Sequence, residues 1–284
     1  MVVNALAGER AAAAGRRGGD AVVWHDLECG GYAADLPLWR ALARAHAPGP
    51  GDGVLDVGAG TGRVALELAR AGHRVTALDR DARLLAALRE RAGRAARGSR
   101  SPAGAGVQTV CADARAFALD ERGFALCLVP MQTLQLLGGA RGRAAFFACA
   151  RAHLRAGGAL ACAIVTRLDS FDAAAGDGAP QAERARVAGR LYTSRAVRVQ
   201  VRAGSARIER VRRIAPASVP ARAGAPGAPS PAQPSCERDV VELDLVGVRE
   251  LQREGERAGL RAAGTRGVPE TAEHVGSVVV LFDA

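Results

Sequence analysis

Nine residues constrain this chain more than any others: Val54-Leu55-Asp56-Val57-Gly58-Ala59-Gly60-Thr61-Gly62, followed by Asp79 at the end of the next apolar run. A short continuous apolar run reads as a buried strand, and three alternating glycines permit a turn that side chains would block. A helical pattern follows at once. An acid about 20 residues beyond such a turn is the arrangement of a nucleoside-binding βαβ unit.

Beyond Gly53 short apolar runs alternate with helical patterns, which predicts a parallel sheet with crossover helices. The strands fall at Val54 to Val57, Arg74 to Asp79, Val107 to Cys111, Phe124 to Val129 and Ala159 to Thr166. Between them, Val64, Ala65, Leu68 and Ala69 form one helical face and Leu84, Leu85, Leu88 and Ala92 another, with Asp81 as an N-cap. A further helix is expected from Arg141 to Arg155, stopped by Gly157-Gly158. The pattern then changes to period two. Val197, Val199 and Val201 alternate with polar residues, Arg207 to Ile214 does so less cleanly, and Val241, Leu243 and Leu245 alternate with acids. Pairing the arginine-rich strands with the acidic one would set opposite charges face to face. Asp172 to Glu183 and the Pro/Ala/Gly stretch Ala215 to Ser235 are too poor in apolar residues to order themselves. A helix from Val248 to Ala258 and two strands, the last Val275 to Phe282, finish the chain.

The net charge of +10 invites a nucleic-acid reading. Every one of the 39 Lys and Arg residues is arginine, however, and many sit beside acids, as in Arg89-Glu90-Arg91. That is the mark of a GC-rich coding bias more than of phosphate contacts. No apolar run reaches the length of a membrane span, and the first 20 residues lack a signal-peptide core, so a cytoplasmic protein is expected. The six cysteines form no Cys-x-x-Cys pair and read as buried thiols. Cys149 and His153 have a metal-compatible spacing but no companion ligands, so no metal site is expected.

The glycine spacing discriminates between cofactors. A dinucleotide site wants Gly-x-Gly-x-x-Gly, and Arg63 stands where its third glycine would let the helix close on the strand. The alternating Gly58, Gly60 and Gly62 instead resemble the first motif of the class I S-adenosylmethionine-dependent methyltransferases, of the form Asp-x-Gly-x-Gly-x-Gly. The resemblance runs from about Trp24 to Phe282. It implies an α/β fold: a Rossmann-like, seven-stranded, mostly parallel sheet with helices on both faces, an antiparallel last strand and a small antiparallel β insertion. In those terms residues 1–50 form a tail and helical lid, 51–170 the cofactor-binding core, and 186–246 the insertion with a disordered loop at 215–236. Residues 247–284 complete the core.

The same resemblance implies roles. Gly58, Ala59, Gly60 and Gly62 would wrap the cofactor, with Asp56 holding its ammonium. Asp79, followed by Arg80, would accept hydrogen bonds from the ribose hydroxyls, which suits a carboxylate because it accepts two donors and stays ionised at neutral pH. Asp113 and Ala114 would lie near the adenine amine. Pro130 and Gln132, in Val129-Pro130-Met131-Gln132-Thr133, would line the methyl-donor pocket, Gln132 standing where relatives carry asparagine. Tyr32, in a lid segment from Trp24 to Trp39, would cover the sulfonium or its carboxylate.

The implied reaction is in-line displacement of the methyl group by a small-molecule N, O or C nucleophile. The protein mainly aligns the reactants and excludes water, so no catalytic residue is fixed by the family; His25, Asp26, Glu28 and Tyr32 are candidates. Tyr192, Arg195 and Arg198 could face the acceptor from the insertion. No Asn-Pro-Pro-Tyr or Asp-Pro-Pro-Tyr motif follows the fourth strand, which argues against methylation of a base amine in DNA. An RNA methyltransferase and a non-catalytic binding protein of the same fold are the alternatives, with an NAD-linked oxidoreductase behind them. Acceptor identity and oligomeric state are not written in the sequence.

Overall fold

A computed structural model of the chain describes residues 18–98, 106–178, 180–217, 234–271 and 274–284. The core strands are β1 (Gly53–Val57), β2 (Arg74–Asp79), β3 (Gly106–Cys111), β4 (Phe124–Val129) and β5 (Leu154–Ile164), joined in parallel. Two antiparallel strands, β11 (Arg261–Val268) and β12 (Ser277–Asp283), extend the far edge, giving the order β11-β12-β5-β4-β1-β2-β3. Every residue of β1 and β4 is buried, as expected of central strands covered on both faces.

Alternate side chains of those strands feed two apolar layers. On one side Leu126 and Leu128 meet Trp39 and Leu42 of α2 (Leu36–His46), Leu68 of α3 (Arg63–Arg70), and Leu85 and Leu88 of α4 (Ala82–Gly98). On the other Cys127 and Val129 meet Phe146 and Phe147 of α5 (Gly139–His153) and Leu251 of α6 (Val248–Arg257). β1 lies between β2 and β4, so the strand order reverses there. The crevice beyond its C-terminal end is where open α/β sheets bind ligands.

The insertion is a second sheet of β6 (Phe171–Asp172), β7 (Glu183–Val187), β8 (Arg190–Arg202), β9 (Ser205–Pro216) and β10 (Ser235–Asp244), all antiparallel. Its register sets Arg210 opposite Asp239 and Arg207 opposite Glu242, the charge pairing expected from the sequence. Arg207 bonds Glu242 at 3.3 Å and Arg212 bonds Asp239 at 3.1 Å. Many arginines are therefore spent inside the sheet.

Three local readings are corrected. Gly157-Gly158 does not stop a helix: α5 ends at His153 and β5 begins at Leu154. The two glycines instead hold the chain end, Gly157 N–H donating to the Ala284 carbonyl and Ala284 N–H to that of Gly158. A Cβ on Gly158 would lie 2.9 Å from the Phe124 carbonyl of β4, so glycine is needed for that close approach. Asp172 does not open an unordered stretch. It pairs with Arg198 of β8, and its side chain accepts from the Ala174 amide to cap a short 3-10 turn. Of the loop read as 215–236, Ala215 and Pro216 belong to β9 and Ser235 and Cys236 to β10, held by cross-strand pairing; residues 218–233 lie outside the described residues.

Candidate active site

The glycine loop leaves β1 and turns over the end of β2. The amides of Gly58 and Ala59 both donate to the Leu78 carbonyl, at 2.8 and 3.0 Å. Gly58, Gly60 and Gly62 all have positive φ, at 75°, 55° and 95°. At Gly60 the need is also steric, since a Cβ there would run into the imidazole of His25; one on Gly58 would lie 2.5 Å from Thr133.

Asp79 fixes the loop from the next strand. Its Oδ2 accepts from Gly60 N–H and its Oδ1 from Asp81 N–H, both at 2.8 Å. The carboxylate retains acceptor capacity on each oxygen. Asp113, just past β3, is held by its own neighbour. Arg115 donates from its backbone at 2.8 Å and from its guanidinium at 2.6 Å, and that grip pulls the Asp113 pKa down to about 2. Asp81 and Arg83 repeat the same Asp-x-Arg clamp one strand away. Arg80 is exposed and Ala114 half-buried beside these acids.

Asp56 is the chemical anomaly. It is 1% exposed at the base of the loop, and neither carboxylate oxygen has a hydrogen-bond partner. Burial raises its pKa to about 7, with Arg63 pulling it down, Asp79 and Asp35 pushing it up, and the Ala65 amide favouring the ionised form from outside hydrogen-bonding geometry. An unpartnered buried acid at the base of the glycine loop fits a cofactor that brings its own cation. By that observation the residues fit a group carrying an ammonium.

The segment before α2 closes over the loop. α1 (Gly18–His25) runs into one π-helical turn at Asp26–Gly30. His25 lies against Gly60 with its Nδ1 3.2 Å from Thr61 Oγ1, and burial holds its imidazole pKa below the usual value, leaving it neutral at pH 7. Asp26 accepts from Thr61 at 2.7 Å and pairs with Arg91 of α4 at 2.5 Å. Burial acts to raise the Asp26 pKa, and these partners hold it below the ordinary carboxylate range. Tyr32 is buried, with its ring 4.8 Å from that of His274 and the Arg63 guanidinium 5.2 Å from its centroid.

Glu28 points away from the loop. It accepts from Ser194 Oγ at 2.7 Å and takes both guanidinium contacts of Arg212, at 2.7 and 2.6 Å, so it ties the lid to the insertion. Tyr192 serves the same end: its hydroxyl donates to Asp20 at 2.7 Å and its ring meets Trp24 edge-on at 5.1 Å. Arg195 donates to the Pro180 carbonyl and Arg198 pairs with Asp172. Beyond β4, buried Pro130 leads into Met131 at φ 56°, an unfavourable backbone for methionine, with Gln132 half-buried behind it.

His153 has structural work. Its Nε2 accepts from the Leu119 amide at 3.0 Å, so its proton lies on Nδ1 and goes to the Cys149 carbonyl 2.7 Å away. Residue-by-residue reading missed Thr61, Arg91, His274 and Gln135. Gln135 bridges Val165 of the core to the Asp244 carbonyl of the insertion, and both Thr61 and Gln135 sit inside motifs whose flanking residues drew the attention.

Comparisons with known proteins bear on this geometry. A family model described as a methyltransferase domain matches residues 54–158, from Val54 of β1 to Gly158 of β5. A ribosomal RNA small subunit methyltransferase A of Deinococcus radiodurans is 42% identical over 59 residues, 21% of this chain; the match spans only 20% of that relative's length. Among solved structures, the CcbJ methyltransferase of Streptomyces caelestis superposes with a TM-score of 0.62 at 19% identity, covering 90% of this chain and 91% of its own. The sugar N-methyltransferase KedS8 of a Streptoalloteichus species gives 0.65 at 17% identity, with 90% and 89% covered. An S-adenosylmethionine-bound amino pentose methyltransferase, CalS10 of Micromonospora echinaspora, gives 0.61 at 21%, with 88% and 92% covered. At such identities the solved structures establish the fold. The strand order, the glycine loop and the domain match agree: residues 54–158 match a methyltransferase domain, and the chain as a whole shares the fold of these solved methyltransferases.

Proposed function

We propose that this chain moves the methyl group of S-adenosylmethionine to a small-molecule nucleophile enclosed between lid, core and insertion. The observation that carries the reading is Asp56, a buried carboxylate with no partner of its own beneath the glycine loop. Gly58, Ala59, Gly60 and Gly62 wrap the cofactor there and Asp56 receives its ammonium. Asp79 holds the ribose hydroxyls, with Arg80 beside it, and Asp113 and Ala114 flank the adenine. Pro130 and Gln132 border the methyl group, and Tyr32 closes the site from the lid. The bound cofactor supplies an electrophilic methyl on a sulfonium, already a good leaving group. The chain's own part is alignment and exclusion of water.

A small acceptor suits walls made of two ordered surfaces, the lid and the second sheet, joined through Glu28–Arg212 and Asp20–Tyr192. Relatives described as sugar and amino pentose methyltransferases support an amine as the nucleophile. His25, held neutral by burial, is the group at this end of the sheet best suited to take the proton that a neutral amine sheds after transfer. Free thiols at all six cysteines suit a cytoplasmic setting, and no helix among the described residues is long and apolar enough to cross a membrane. Isothermal titration with S-adenosylmethionine should give saturable binding in the micromolar range; folded protein that takes up no heat at hundreds of micromolar ends the proposal.

RNA as acceptor finds support in the charge and in the ribosomal RNA relative. Against it stands the use of arginine inside the molecule, in the pairs of Arg207, Arg210 and Arg212 with acids of the insertion and lid. RNA affinity is therefore expected to be weak, with a shallow dependence on salt. A slope of log K against log salt steeper than about −3, several phosphates at roughly −0.7 each, would instead favour RNA.

A further inference from the structure

Arg63 enters the sequence argument only as the residue that excludes a dinucleotide, yet it is the most heavily engaged side chain around the glycine loop. Standing at the first position of α3, it presents both Nη atoms to Asp35, at 2.5 and 2.8 Å. The same Nη1 donates to the Tyr32 carbonyl at 2.8 Å, and the guanidinium packs over the Tyr32 ring. The Arg63 side chain is 10% exposed and that of Asp35 3%. Asp35 in turn accepts from the Trp39 indole at 2.7 Å, so the start of α2 is anchored through the same carboxylate. A planar five-donor fork is suited to such a junction, where a lysine would supply one point charge.

This buried charge also lies within the field of Asp56. Three charged side chains act on that acid: Arg63 of α3 favours its ionised form, while Asp79 at the end of β2 and Asp35 before α2 oppose it; the Cys127 thiol of the neighbouring β4, on the other face of the sheet, is kept protonated by burial and adds no charge. Arg63 is the one cation among them.

We propose, resting on the cofactor reading above, that Arg63 is a positioning residue for cofactor capture: it locks the lid to the glycine loop through Asp35 and Tyr32 and readies the Asp56 carboxylate for the cofactor's ammonium. Closure of the site and the charge at its base are thus tied to one side chain. An acid that is half protonated near neutrality in the free protein must be ionised to hold an ammonium. Cofactor binding therefore releases a proton, and affinity climbs with pH until Asp56 is ionised without help.

The test is the pH dependence of S-adenosylhomocysteine affinity, measured on the full chain by titration calorimetry from pH 5.5 to 8.5. This probe carries the ammonium and ribose and cannot turn over. Wild-type affinity should fall about tenfold per pH unit below a midpoint near 7 and level above it. Arg63→Met removes the cation and should move that midpoint up by about one unit or more. Asp35→Asn removes an acid and frees the Arg63 charge, so it should move the midpoint down. Asp56→Asn should abolish it, leaving only the titration of His25, which lies beside Asp79.

A merely structural Arg63 would lower affinity by the same factor at every pH in both variants. Equal loss across pH, or shifts in the same direction, overturns the proposal. Should Arg63→Met fail to fold, the opposite shift in Asp35→Asn and an intermediate midpoint in Arg63→Lys still decide it. Absence of S-adenosylhomocysteine binding by folded wild-type protein at every pH would instead count against the cofactor reading.

Discussion

Replacing Glu254 with alanine should cost about 3–5 kcal/mol of folding stability, the usual loss when a buried ion pair is broken from one side. Glu254 on α6 takes both sides of the Arg143 guanidinium from α5, at 2.7 and 2.8 Å, and the two side chains are 5% and 4% exposed. The nearest other acid, Asp244, stands 3.4 Å from Arg143 and is already bound to the Gly139 amide at the start of α5. It can therefore offset the loss only in part, and a guanidinium stays buried without a full partner. Denaturant unfolding of the purified variant measures the effect, and a loss below about 1 kcal/mol would mean that water reaches the site.

Replacing both partners, as Arg143→Met with Glu254→Leu, removes the uncompensated charge and should return most of the stability or exceed the wild type. The double variant has a second readout. Asp244 ends β10 and meets Gln135 of the segment after β4 through its carbonyl, at 2.8 Å. The ion pair thus sits where insertion and core are joined. If its value is placement rather than stability, the double variant will be stable and will turn over acceptor poorly.

How much of this was legible beforehand follows from sequence distance. Phe124–Val129 was read to the residue because a central strand buried on both faces is one unbroken apolar run. Asp79 and its hold on Gly60 lie within one βαβ unit, so glycines, strand and acid could be read together. The lid could not be resolved in this way. Asp35 meets Arg63 28 residues away, Asp26 meets Arg91 65 away, and Glu28 meets Arg212 184 away. Charge composition says that pairs must exist in such a chain and nothing about which. Gly157-Gly158 misled for the same reason, since the partner that accounts for them is the distant Ala284.

Alanine at position 79 should weaken S-adenosylmethionine binding by about 1.5–3 kcal/mol, the range for hydrogen bonds to a charged group, which is roughly 10- to 150-fold in Kd. Two losses combine. The ribose hydroxyls forfeit their acceptor, and the Gly60 and Asp81 amides lose the bonds that hold the loop in its positive-φ path. Asp79→Asn separates the two oxygens. Its amide oxygen can still accept from Gly60 at nearly the native position, while its NH2 group has no use for either a ribose O–H donor or the Asp81 N–H. An asparagine variant that binds nearly as well as wild type would assign most of the effect to the Gly60 bond; one that binds as poorly as alanine would assign it to the acceptor lost at Oδ1, which serves the Asp81 amide and the ribose. Unchanged affinity in both would mean that the ribose is held elsewhere on the sheet. Asp113→Ala should do less, because its carboxylate is half exposed and already gripped by Arg115, so little of its acceptor strength is left for an adenine amine.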